Sequence, residues 1–407
     1  MKRLFLLATL SLAVASPALA QVKSVKQAER IAKDDKPDFA QARSIIQPTL
    51  SDPETMNDAR AWYVAGLIEE KQVDAQKINM SLGKPFDEGA FYGALYAMYP
   101  YYIKADSLDA LPNEKGKVKR KFKKEIHKAM SENHGFFVNA GSYYFDKEDY
   151  ASAHKFFKKY LDIKKLPMFE GTPIAEQDSM SMQIGFFSAY AASRMPNNLK
   201  NAIAEYEVIK DVQYRQNDVY QLLASAYMEL GDSVSYERVL SEGVKVFPQE
   251  KYFVFNLINI YVRKGEHEKA KAFLEQAIAN DPENKQLYNV LATVYEQGFK
   301  DPVKAEEIYR KVLAIDPAYA EAVIGLGRIY YNQAVAIQSE ANMINDAKKY
   351  KAKEAEAKEL FKKALPYFEK AVELEAGNTE YLMALRGIYY NLEMNDKMAE
   401  IEKKLGQ

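Results

Sequence analysis

The chain contains no cysteine. That removes disulfides, thiol nucleophiles, thiolate metal ligands and a lipid anchor on cysteine. Histidine is nearly as scarce. The four copies, His127, His134, His154 and His267, are scattered, and none pairs with Asp or Glu at metal-ligand spacing. No G-x-S-x-G, Walker loop or dinucleotide glycine motif occurs. The expectation is a non-enzymatic protein with no cofactor and no metal. Glycine (18) and proline (15) are few for 407 residues, which suits a helical protein without long linkers. Beyond the first residues no apolar run is long enough to cross a membrane. The net charge of −1 supplies no global field that would draw nucleic acid.

The first residues carry their own signal. Lys2 and Arg3 precede an apolar run from Leu4 to Ala15, and Ala18-Leu19-Ala20 stands before Gln21. This is the pattern of a secretory signal peptide over residues 1–20, cleaved after Ala20. With no cysteine, the expected place is the bacterial periplasm, with secretion as the lesser option.

What the chain has in abundance is period. Between residues 217 and 331 one unit is written three times. Leu223-Ala224, Leu257-Ile258 and Leu291-Ala292 are each followed by a tyrosine, Tyr227, Tyr261 and Tyr295, at steps of 34 residues. About a dozen residues further on come Tyr236, Ala270 and Ala305, then Leu240, Leu274 and Tyr309, and a proline (Pro248, Pro282, Pro317) closes each unit. Residues at i, i+1 and i+4 share one side of a helix, and Ala270, Leu274 and Ala277 form an apolar stripe on a second helix. The proline cannot continue the preceding turn but can start the next helix. One hairpin cannot bury both its apolar faces, so hairpins must stack.

The pattern extends outward with degeneracy. Residues 22–57 form a weak cap with Ala42 and Ile46 as its stripe. Phe137, Ala140, Gly141, Tyr144, Ala153, Phe157 and Tyr160 make a clear hairpin, and Phe187, Ser188, Ala191, Ala202, Tyr206 and Ile209 a weaker one. Leu385, Arg386, Tyr389 and Met398 mark the last. Two units are stretched. After Trp62, Ala65 and Gly66 the second-helix stripe (Met98, Tyr102, Ala105) arrives about twenty residues late, and after Leu326, Gly327 and Tyr330 it arrives (Ala364, Phe368, Ala371) about 25 late. The segments MYPYYIKA (98–105) and ALPYFEKA (364–371) align. Two outsized protruding hairpins follow, with insertions near 71–88 and 332–363 and turns at 82–85 and 342–346. Residues 111–128 are strongly basic, with Lys117, Arg120, Lys121 and Lys124 as a candidate patch for acidic partners, lipid head groups or anionic polymer. Residues 161–180 read as an irregular loop with Met168 and Phe169 exposed.

The 34-residue unit resembles the tetratricopeptide repeat, and the resemblance covers most of residues 21–407 as one array. It implies an all-α, right-handed superhelical solenoid of about nine hairpins, with the terminal ones degenerate. The aromatic repeats and the Lys/Glu/Ala-rich hairpin are also similar to exported repeat proteins of the Bacteroidota. In such a fold the first helices line a concave groove, which places Tyr252, Phe255, Asn259, Arg263, Asn289, Arg328 and Tyr331 there as candidate contacts. Some family members clamp a C-terminal carboxylate with Lys and Asn. Here Phe255 and Glu321 stand where lysines would be needed, which speaks against that mode. The implied function is a periplasmic scaffold binding proteins or extended peptides. The alternative is a binder of carbohydrate or another envelope polymer.

Overall fold

The computed structural model of the chain describes residues 17–113, 115–248 and 250–406, so the expected leader lies outside it apart from its last four residues. Among the described residues there is no strand. The helices of the described residues fall into nine pairs plus one single helix. The pairs are α1 (Pro17–Ala32) with α2 (Phe39–Ile46), α3 (Ala59–Ser81) with α4 (Glu88–Asp109), then, after the single α5 (Lys123–Asn133), α6 (Phe136–Asp146) with α7 (Tyr150–Ile163) and α8 (Ser179–Arg194) with α9 (Leu199–Ile209). There follow α10 (Gln216–Leu230) with α11 (Ser233–Val246), α12 (Lys251–Arg263) with α13 (His267–Asn280), α14 (Lys285–Thr293) with α15 (Pro302–Ile315), α16 (Ala320–Ala341) with α17 (Ala347–Leu374), and α18 (Thr379–Asn391) with α19 (Asn395–Lys404). The chain divides into two compact units, Met1–Ala226 and Tyr227–Gln407.

The turn inside four of the hairpins follows from one local device. The amide five residues past the motif tyrosine bonds back to that tyrosine's carbonyl: Asp149 to Tyr144 (2.9 Å), Asp232 to Tyr227 (3.0 Å), Glu266 to Tyr261 (2.8 Å) and Met394 to Tyr389 (2.9 Å). The residue just before each of those amides is left-handed: Glu148, Gly231, Gly265 and Glu393. This closes the first helix in the manner of a Schellman turn. Asp149 and Asp232 then cap the second helix, each accepting from the amide three residues on.

A fifth hairpin carries a lengthened form of this device, which explains a spacing. Tyr330 follows Tyr295 by 35 residues, where the earlier step is 34. After α14 the helix widens into a π turn over Val294–Gly298. The returning bond runs from Asp301 to Tyr295 (2.9 Å), one residue longer than elsewhere, with Lys300 left-handed. A π turn accommodates one extra residue without breaking the helix.

Close approach of the two helices rests on glycine against an aromatic ring. A Cβ on Gly66 would stand 2.4 Å from Tyr102, on Gly141 2.3 Å from Phe157, and on Gly327 3.1 Å from Phe368. Tyr102 and Phe368 thus do the same job in the two long hairpins that Phe157 does in a regular one. The extra residues lie beyond this contact, at the distal ends of α3–α4 and α16–α17, whose turns fall at 82–87 and 342–346 as expected. Pro100 and Pro366 sit inside α4 and α17, two residues before the locking ring, on the exposed side.

The two long hairpins differ in how they are clad. In the first unit Phe91, Tyr92 and Leu95 of α4 are buried, and Phe91 meets Phe136 edge-on at 5.4 Å. That hairpin is therefore mostly packed, with its exposed large apolar side chains at the tip (Ile78, Met80, Leu82). In the second unit the start of α17 is bare from Ala347 to Ala352, and Met343 at the tip is 85% exposed. Only this hairpin protrudes as the sequence suggested. A second correction concerns the 161–180 loop. It holds two short 3₁₀ turns, and Phe169 is buried against His127 (5.4 Å) and the aromatic core. The aromatic ring pins the loop.

Candidate functional site

A recess of about 300 Å³ opens in the second unit where α10, α11 and α12 converge, lined by Met228, Gly231, Tyr236, Asn256, Asn259, Ile260 and Arg263 among others. The first-helix pattern puts Asn256, Asn259 and Arg263 on one side of α12 at i, i+3 and i+7. Tyr236 stands where the next two repeats carry Ala270 and Ala305. Its larger side chain reaches across, and its hydroxyl donates to Asn256 Oδ1 (3.1 Å), while Asn256 Nδ2 donates to the Tyr252 carbonyl (2.8 Å). Burial holds the Tyr236 phenol above its ordinary value, so it stays a neutral donor. Asn256 is thereby fixed at the back of the recess. Asn259 and Arg263 are exposed at its mouth.

The tetratricopeptide repeat family matches residues 255–320, which run from α12 to the start of α16. These residues are tetratricopeptide repeats. No curated protein matches the chain. Among solved structures it is similar to a repeat protein from Bacteroides fragilis (19% identity, 63% of this chain and 98% of that one, TM-score 0.32). It is similar also to the C-terminal part of a repeat-containing protein from Cytophaga hutchinsonii (18%, 66% and 93%, TM-score 0.43). MamA of Desulfovibrio magneticus is a third (16%, 49% and 97%, TM-score 0.34). With TM-scores below 0.5 none of these decides the fold. The matched residues and the helix packing do.

Of the candidate groove contacts, the structure brings together Asn259 and Arg263. Phe255 turns instead toward α13 and α14, lining a separate recess of about 70 Å³ with Val254, Ala277 and Leu287. Tyr252 meets Phe253 edge-on at 5.3 Å. The Asn289 carbonyl accepts from Thr293 (3.0 Å), and its side-chain oxygen is buried without a partner. Tyr331 packs against Phe361 (5.7 Å) and Phe368 (5.8 Å) of α17, so it is filler within the α16–α17 hairpin rather than an open anchor. Arg328 forms a two-pronged pair with Glu296, Nε–Oε1 and Nη2–Oε2 both at 2.6 Å. Tyr309 also donates to Glu296 (2.9 Å). The Glu296 hydrogen bonds and charge raise the Arg328 guanidinium further above its already high value.

Sequence reasoning missed Met228, Tyr236, Asn256 and Ile260. The available signal was Tyr236, a large polar side chain where small residues recur. In the basic segment Lys117, Lys121 and Lys124 are exposed, whereas Arg120 is engaged by Asp106.

A cluster that superficially suggests catalysis lies in the first unit. Glu205 accepts from Ser188 Oγ (2.8 Å) and lies 2.7 Å from His154 Nε2. The carboxylate is in the middle, so the histidine cannot take a proton from the serine. Ser188 is also fully buried. The cluster ties α7, α8 and α9 together. Burial would raise the Glu205 pKa, but hydrogen bonds from His154 and Ser188 and the charges of His154 and Lys158 bring it below the usual carboxylate value. A depressed folded-state pKa gives stability that is present above the unfolded value and lost as pH falls through the folded one. Urea midpoints between pH 7 and pH 3 should therefore drop less steeply for Glu205→Gln than for the wild type. Parallel acid limbs would show that the pair carries no such linkage. Among the described residues no group of His, Asp and Glu is arranged to hold a metal ion.

Proposed function

We propose that this tetratricopeptide-repeat protein is an exported, non-enzymatic scaffold that holds an extended peptide segment of a protein partner at the α10–α12 recess. The observation that supports it is Arg263. Its guanidinium is exposed at the mouth of a mostly apolar recess and forms no ion pair among the described residues. A ligand that fits has an aliphatic side chain to set against Met228 and Ile260 and an acidic group to meet Arg263, with Asn259 free to bond its backbone. The periplasm as the place of action is supported by Lys2, Arg3, the Leu4–Ala15 run and Ala18-Leu19-Ala20.

Selection of peptides from a random library on the purified chain should enrich for an acidic residue near an aliphatic one. Anisotropy titrations with a selected peptide should then weaken at least about tenfold for Arg263→Glu and less for Asn259→Ala. Enrichment without acidic residues, or equal binding by Arg263→Glu, overturns the reading. Osmotic-shock fractionation should release a tagged chain lacking residues 1–20. A full-length chain kept in the cytoplasm would refute the export half alone.

A further inference from the structure

The basic residues 115–124 are held in place more firmly than a solvated charge run requires. The Asn113 carboxamide accepts from the amides of Lys115 (3.0 Å) and Lys117 (3.1 Å), and the Asn113 amide donates to the Lys117 carbonyl (3.0 Å). Gly116 supplies the left-handed residue that turn requires. Downstream, Arg120 pairs with Asp106, the Phe122 amide donates to Asp109 (2.8 Å), and the Phe122 ring stacks on Tyr63 at 4.4 Å. Arg120 and Phe122 are therefore held against α3 and α4. Lys117, Lys119 and Lys121 alternate with them and are all exposed, as is Lys115. Two residues of chain span at most about 7 Å, so the lysines follow one another closely along the loop. None of the row has an ion partner among the described residues. Lys123 and Lys124 continue it into the first turn of α5, where the helix dipole opposes cations and no side chain caps the helix. The acids nearby are Asp106 and Asp109, already engaged, exposed Glu125, and Glu114 next to Lys115 in the sequence.

Two aliphatic side chains stand out beside this row: Leu111 is 60% exposed and Val118 54%. We infer that this ordered loop, with the Lys115–Lys124 row and the Leu111–Val118 pair, docks on an anionic lipid bilayer surface. The lysines meet the head groups, and the aliphatic pair enters the boundary below them. A soluble polyanion would leave Leu111 and Val118 in water, which is why the bilayer accounts for more of the loop.

The test is flotation of the full chain with vesicles of phosphatidylcholine alone or with about 30 per cent phosphatidylglycerol. At low salt the wild type should bind the anionic vesicles at least about tenfold better. Lys117→Gln/Lys119→Gln/Lys121→Gln should lose most of that gain. Leu111→Ser/Val118→Ser should lose the binding that persists at high salt, since screening removes only the electrostatic part. Lys348→Gln/Lys349→Gln/Lys351→Gln in α17 should behave as wild type. Equal binding by the loop triple variant, an equal fall in the α17 variant, or binding to dextran sulfate but not to vesicles would each overturn the inference.

Discussion

Gly141→Ala is expected to cost about 3 kcal/mol, the upper end for overpacking a core. The added methyl would meet Phe157 Cδ1 and Cε1 at 2.3 Å, and Phe157 is 1% exposed, so the ring has nowhere to retreat. The same should hold for Gly66→Ala against Tyr102. Gly93→Ala in α4 is the matched contrast. Its Cβ would find nothing within 4 Å, so the variant should gain about 0.5–1 kcal/mol from helix propensity alone. Urea unfolding of the three variants checks this. A Gly141→Ala midpoint equal to wild type would mean that the helices separate at little cost, and that the glycine contact does not set their spacing.

The second large effect is expected at Arg328→Ala, with a loss of about 2 kcal/mol. Glu296 is 10% exposed on its side chain, and the substitution leaves a buried carboxylate with only the Tyr309 hydroxyl. Arg328 is itself about a third exposed, which holds the figure below that of a fully buried pair. Glu296→Gln should cost less, because the amide still accepts from Tyr309 and the guanidinium left without its counter-ion is the more exposed of the two groups. A double-mutant cycle over the two positions should return a coupling above about 0.5 kcal/mol. A coupling near zero would mean that the pair is a surface contact with no energetic role.

Much of the fold was legible because repeats are redundant. Leu223, Leu257 and Leu291 at one spacing, each with a tyrosine four residues on, leave little freedom in helix placement. Even the stretched units were readable, because Tyr102 and Phe368 stand in the same local sequence and both must meet a glycine. What failed to show was anything decided by contacts between distant segments. Phe169 read as exposed, since nothing local says that His127 lies above it. The two long hairpins read alike, since the burial of Phe91 and Tyr92 depends on Phe136 and Tyr143 some 45 residues away. The site suffered most. Arg328 and Tyr331 occupy groove positions by register, yet Glu296 and Phe361 claim them, while Asn259 and Arg263 stay exposed. Tyr236 was in plain view, but its reach to Asn256 depends on the spacing between two helices.

In both long hairpins the added length sits beyond the glycine–ring contact, and the helices below it keep the geometry of an ordinary repeat. Length can therefore be gained or lost in whole helical turns at the far end while the step to the next hairpin stays fixed. Evolution can tune the reach of such a hairpin independently of the stacking that folds it, and an engineer could shorten the α16–α17 projection by the same rule.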